Sequence, residues 1–264
     1  EAYVEGTTEI TTSTEPLDIV LVLDVSGSMD DPMGKKDSKK RIDALKIAVN
    51  AFIDNVAQKN KDTKGNTVGH RISIVKFAGE KATKVGNDTY RENGYTENGY
   101  TYNYSQIVKN LTTVDATGKN ELTAAVNGLR PAGATRADYG MELAQSVLPS
   151  NEDSNRDKVV VMFTDGSPTS SDGFEYGVAS RAIANSATLK ANNVKVYTVG
   201  IFSGANSREI TANDWNTEWN VSDSNRNNKY MQAVSSNYPT ASLTYGLVKH
   251  SWNPGQRADV DVNY

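Results

Sequence analysis

Apolar and polar positions along this chain repeat in two periods, and the two periods take turns. Asp18 to Asp24 is an unbroken apolar run closed by carboxylates, the pattern of a parallel strand buried on both faces. Lys40 to Lys59 follows with Ile42, Leu45, Val49, Phe52, Ile53 and Val56 on one face at helical spacing. From His70 to Phe77 the alternation predicts a strand, with Ile72, Ile74 and Phe77 as inward candidates. Leu122 to Leu129 predicts a short helix ending near Pro131, and Thr135 to Leu148 a helix with Met141, Leu143, Ala144 and Val147 apolar. Two further strands, Lys158 to Phe163 and Val194 to Ile201, flank a helix over Glu175 to Asn192. Strands and helices in alternation predict an α/β fold: a doubly wound, mostly parallel central sheet with helices on both faces.

Two polar stretches exceed what such a fold needs and read as insertions. Residues 79–117 carry the near-repeat Glu92-Asn93-Gly94-Tyr95-Thr96 and Glu97-Asn98-Gly99-Tyr100-Thr101. Tyr90, Tyr95, Tyr100, Tyr102 and Tyr104 crowd into this stretch. Tyrosines among Gly, Asn and Ser supply rigid amphipathic contact area, which makes Tyr95, Tyr100 and Tyr102 candidate ligand contacts. The alternative is a hairpin extension with Asn-Gly turns on which the tyrosines simply pack. Residues 203–237 hold Trp215, Trp219 and Tyr230, which predict a local core under the loop in preference to a ligand platform.

The chain has 264 residues, enough for one substantial core, and a single domain over residues 1–264 is the expectation. A net charge of −4 argues against nucleic acid as a partner, since a basic face would be needed. The Lys35 to Arg41 stretch reads as a solvated loop before the first helix. No apolar run reaches the length of a membrane span. Without cysteine there is neither a disulfide nor thiol chemistry. The two histidines, His70 and His250, have no second ligand or base beside them and read as satisfied core or surface groups. With neither an initiator Met nor a signal-peptide pattern, the sequence reads as a processed or excised piece.

The candidate chemistry lies where strands end. Asp24-Val25-Ser26-Gly27-Ser28 sets one carboxylate and two hydroxyls in a tight turn directly after the first apolar run. Mg²⁺ favours near-octahedral oxygen ligands and keeps several waters, so clustered side-chain oxygens around an open position suit it. Gly133-Ala134-Thr135 precedes a helical pattern, and Phe163-Thr164-Asp165-Gly166 ends another apolar run. In an open parallel sheet, loops at the carboxyl ends of neighbouring strands converge on one crevice. Asp24, Ser26, Ser28, Thr135 and Asp165 would then form one metal site. Each motif also has an ordinary reading: a turn bonded to its own backbone for Asp24 to Ser28, and a helix N-cap for Thr135.

The order and spacing of these motifs, over residues 17–247, resemble a von Willebrand factor A domain with a metal-ion-dependent adhesion site. The insertions resemble those of Gram-positive pilus-tip adhesins. The resemblance implies hydroxyl ligands from Ser26, Ser28 and Thr135, with Asp24 and Asp165 binding Mg²⁺ or Mn²⁺ directly or through water. A carboxylate from the ligand would fill the sixth position. It also implies an antiparallel edge strand, and the final elements of the fold near Tyr238-Pro239 and Ser242 to Val248. The function implied is adhesion at a bacterial cell surface or pilus tip, outside the cell. Expected partners are a host extracellular-matrix or surface protein and other pilus subunits. A metal-dependent hydrolase is the competing reading, disfavoured because the site offers no general base and the chain has no Walker A, G-x-G-x-x-G or G-x-S-x-G motif. A third reading is a structural module whose metal only stiffens the crevice.

Overall fold

A computed structural model describes residues 15–34, 37–91, 101–148, 155–171, 173–206, 223–244 and 261–263. Four parallel strands form its centre: β1 (Leu17–Asp24), β4 (Arg71–Phe77), β8 (Asp157–Thr164) and β9 (Lys195–Gly200). With β7 (Gln106–Thr113) they make one five-stranded sheet in the order β7-β4-β1-β8-β9. Helices α1 (Arg41–Gln58) and α2 (Ala116–Asn127) cover one face, and α3 (Ala137–Val147), α4 (Tyr176–Ala191) and α5 (Asp223–Val234) cover the other. The sheet is doubly wound, as the alternating periods predict.

Strand β1 sits at the middle and explains why its sequence is apolar throughout. Ile19, Leu21 and Leu23 pack with Ile42, Leu45, Val49 and Ile53 of α1, while Val20 and Val22 pack with Met141 of α3 and Ile183 of α4. Both sets are wholly removed from water or nearly so. Burial at about 25 cal/mol per Å² of apolar surface makes such a two-sided strand the main contributor to the core. The same alternation splits the inward candidates of β4: Ile72 and Ile74 face the α1 layer and Phe77 the α3 layer.

Strand β7 pairs antiparallel with β4 and is the sheet's edge. Its residues were expected inside the first insertion. The segment Gln106 to Thr113 is half-buried and carries polar side chains on its outer face, so it lacks the unbroken apolar run that marks its neighbours. Helix α2 also begins earlier than the expected Leu122. Asp115 caps it by accepting a 2.8 Å bond from Lys119 N at its carbonyl and a 2.7 Å bond from Gly118 N at its carboxylate. Gly118 masks this start in the sequence, yet the helix needs it: a Cβ there would lie 1.9 Å from the Thr113 carbonyl oxygen.

Between β4 and β7, strands β5 (Thr89–Arg91) and β6 (Thr101–Asn103) pair antiparallel. Such a pair is what the hairpin alternative needs at its base, while its Asn93-Gly94 and Asn98-Gly99 turns lie outside the described residues. Tyr95 and Tyr100 lie outside the described residues. In the second stretch, helix α5 packs on the sheet, and Tyr230 is a fully buried member of the main core, edge-on to Phe174 at 6.0 Å. Tyr230 is therefore not part of a local loop core as expected; Trp215 and Trp219 lie outside the described residues. Lys35 to Arg41 is not a plain loop either. Strands β2 (Pro32–Gly34) and β3 (Asp37–Lys40) form a small antiparallel ladder that delivers the chain to α1. Strand β10 (Ser242–Thr244) pairs with β11 (Asp261–Asn263) outside the main sheet.

His70 is buried, as a satisfied core group. Its Nδ1 accepts a 3.1 Å bond from Leu17 N, and burial pulls its pKa down, so the imidazole stays neutral. His250 lies outside the described residues. Among the described residues no helix is long and apolar enough to cross a membrane.

Candidate metal centre

The carboxyl ends of β4, β1 and β8 bring together loops that are far apart in sequence, and backbone bonds fasten them. Val25 N donates to Phe77 O at 3.1 Å, and Ala132 N to Val25 O at 2.9 Å. Thr135 and Thr169 exchange two N–H···O bonds of 3.0 Å, tying the loop before α3 to the loop after β8. The resulting cleft, about 900 Å³, is lined by Ser28, Thr135 and Asp165 together with Arg41, Tyr102, Ser167 and Asn227.

Asp24 lies beneath the cleft floor and is completely buried. One carboxylate oxygen accepts from Ser26 N at 2.8 Å; the other accepts from Thr164 Oγ1 at 2.8 Å and Asp165 N at 3.3 Å. It thereby joins the turn after β1 to the turn after β8. Burial pushes its carboxyl up to about 7, the Asp165 charge adds to the rise, and the bonds from Ser26 and Thr164 act against it. A carboxylate so buried is costly unless a cation compensates it.

Above Asp24, Ser26 Oγ and Ser28 Oγ stand 3.2 Å apart. Adjacent ligands of an octahedron with bonds of 2.0–2.1 Å are separated by roughly 3 Å, so this hydroxyl pair has the spacing of two neighbouring Mg²⁺ ligands. Thr135 is not the N-cap of α3: the helix starts at Ala137, Arg136 is the cap residue, and no side chain caps it. The threonine borders the cleft instead. Among the described residues no three His, Cys, Asp or Glu side chains gather as a metal cluster. Two carboxylates and three hydroxyls are a hard-oxygen set, which fits Mg²⁺ or Mn²⁺ and not a thiolate- or imidazole-seeking metal.

Gly166 makes the turn after Asp165 possible. Its φ of +141° would strain any side chain, and a Cβ there would stand 2.3 Å from the Asn227 amide nitrogen and force that side chain to move. Asn227 in turn accepts from Ser167 Oγ at 3.2 Å. Of the tyrosine candidates, Tyr102 reaches the cleft, its ring over Gly133, where a Cβ would come within 3.3 Å of it.

Three participants have no role in the sequence reading. Thr164 is the buried partner of Asp24, though it stood in the quoted motif. Asn227 belongs to α5, inside a stretch read as an insertion. Arg41, the first residue of α1, forms a 2.9 Å ion pair with Asp165 Oδ2. It ends a lysine-rich run that looks solvated, and only the β2–β3 ladder and the Arg41 N to Asp31 O bond of 2.9 Å turn it inward.

Comparison with known proteins agrees with this architecture. The model of the von Willebrand factor type A domain family matches residues 18–245, and the chain belongs to that family. No curated protein matches the chain. Among solved structures, the pilus adhesin SpaC from Lactobacillus rhamnosus GG is similar at 18% identity and a TM-score of 0.56, covering 85% of this chain and 27% of SpaC. The PilB minor pilin from Streptococcus sanguinis is 18% identical with a TM-score of 0.47, covering 75% of this chain and 52% of PilB. A von Willebrand factor type A protein from Catenulispora acidiphila is 20% identical with a TM-score of 0.44, covering 70% and 33%. The chain thus spans about a quarter of SpaC and half of PilB. At these identities the likeness is one of fold.

Proposed function

We propose that this domain is a metal-dependent adhesion module of a bacterial surface or pilus protein, of the Gram-positive pilus-tip kind, and not an enzyme. The observation that carries the reading is an open cleft at the carboxyl edge of the sheet lined by Ser28, Thr135 and Asp165, with the Ser26 hydroxyl 3.2 Å from that of Ser28 and the buried Asp24 carboxylate bonded to Ser26 N and Asp165 N. Ser26, Ser28 and Thr135 would hold Mg²⁺ or Mn²⁺ through hydroxyl oxygens, with Asp24 and Asp165 balancing its charge directly or through water. When bound, the ion supplies a charge-dense contact for one carboxylate of a partner protein.

The chain's own residues do the remaining work. Asp24 fixes the Ser26 turn from below and would carry negative charge once the ion is bound. Gly133 lets the Tyr102 ring close over the cleft edge, where it offers apolar area and a hydroxyl to whatever docks. Ser167, Thr169 and Asn227 form a polar rim suited to backbone groups of a partner. Fitting occupants are a host matrix or surface protein, or another pilus subunit, presenting an acidic side chain. The pilus adhesin and pilin among the similar folds support a surface location.

Isothermal titration of the domain with Mg²⁺ and Mn²⁺ tests the reading. Saturable binding with one site is expected, and Asp24→Ala should abolish it while the domain stays folded by circular dichroism. Binding that survives Asp24→Ala would place the ion elsewhere and defeat the proposal.

A further inference from the structure

The cleft already contains a cation. Arg41 Nη1 lies 2.9 Å from Asp165 Oδ2, in a pair whose carboxylate side chain is only 3% exposed and whose arginine is 24% exposed. The same Nη1 reaches Ser28 O at 3.4 Å, over the turn that presents the Ser26 and Ser28 hydroxyls. Arg41 Nε is buried and has no hydrogen-bond partner among the described residues. The guanidinium is thus held by one charge and leaves a buried donor unsatisfied, which is costly. A bidentate arginine pair would not carry that cost, as Arg71 on Asp18 illustrates at 2.7 and 2.6 Å.

We propose that Arg41 is an internal counter-cation that competes with the divalent ion for Asp165 and so sets the affinity of the cleft for metal. This rests on the metal-dependent reading above. In the metal-free domain Arg41 neutralises Asp165, which stands next to the buried Asp24. A divalent ion binding among Ser26, Ser28 and Thr135 takes over that neutralisation, and like charge pushes the guanidinium off Asp165. Because Arg41 opens α1 and is one-quarter exposed, its long side chain has solvent to swing into without disturbing Ile42 or Leu45 below it.

Mn²⁺ titration of the wild type, Arg41→Gln and Arg41→Lys, with melting in chelator and in Mn²⁺, tests the proposal. Arg41→Gln should bind Mn²⁺ at least about tenfold more tightly, the consequence of removing one positive charge beside a partly buried cation. It should melt lower than wild type in chelator and gain more on adding Mn²⁺. Arg41→Lys, which keeps the charge, should bind close to wild type. A silent wild type with a binding Arg41→Gln would support the proposal in its strongest form, as would a variant that folds only in Mn²⁺. Equal or weaker binding by Arg41→Gln would overturn it while leaving the metal site standing, and so would failure of the variant to fold in either condition. If neither protein binds, the metal reading falls and this proposal with it.

Discussion

Asp24 is the residue on which the proposed site depends, and its chemistry is opposite to that of an ordinary surface aspartate. Burial and the neighbouring Asp165 raise its folded-state pKa to about 7, above the usual 3.8. The folded state therefore favours the protonated form. Stability from this group is fully present below about pH 4 and is lost as pH rises toward 7, because the unfolded chain ionises first. In chelator, wild type should lose stability relative to Asp24→Asn between pH 4.5 and 7.5, as read by urea denaturation. Saturating Mn²⁺ should reverse that order for wild type alone, because the bound ion favours the ionised carboxylate. An unchanged difference across this range would show that Asp24 is ionised throughout in the folded protein. Asp18, at the opposite end of β1, behaves conversely: burial would raise it, but Arg71 and Arg156 outweigh burial and hold it low. One strand thus carries two buried aspartates, one paired with arginines and one held by the turns after β1 and β8.

The elements differ in how openly the sequence announces them. Strands β1 and β8 and helices α1 and α4 were legible because two-sided or one-sided burial imposes a period on their residues. Strand β7 and the first turn of α2 were not, for the same physics: an edge strand has one solvated margin, and a glycine inside a helix looks like a break. Gly118 is there for space, not flexibility. Gly118→Ala should destabilise the domain by roughly 2 kcal/mol or more, since the Thr113 carbonyl is backbone and has no other rotamer. Measured by chemical denaturation, a neutral result would mean that α2 starts later than Ala116. The five proposed site residues stand out in the sequence for a different reason. Oxygen-bearing side chains at strand ends are recognisable motifs, and the sheet order predicts where they meet. Arg41 does not stand out, because its partner Asp165 lies across the fold and nothing local distinguishes it from the lysines before it.

At the scale of the whole molecule, a mostly parallel sheet presents a cleft of about 900 Å³ at its carboxyl edge, and Tyr102 of the antiparallel β5–β6 pair lines it. The family gives the frame, and the cleft's oxygen donors give the chemistry. SpaC, the pilus adhesin with the same fold, is nearly four times as long as the part this chain matches, so the domain is comparable to one module of such a protein. On the proposed function the domain would work by division of labour: one charge-dense anchor at the metal, and surrounding area that chooses the partner. Tyr102, which lines the cleft, would be where anchor and surrounding area meet.

The most direct measurement is anomalous diffraction from crystals of the domain grown with Mn²⁺. The account predicts a single strong anomalous peak in the cleft, within ligand distance of the Ser26, Ser28 and Thr135 hydroxyls, with Arg41 moved off Asp165. Crystals that diffract well in Mn²⁺ yet show no peak there, or show one only at surface carboxylates, would contradict it.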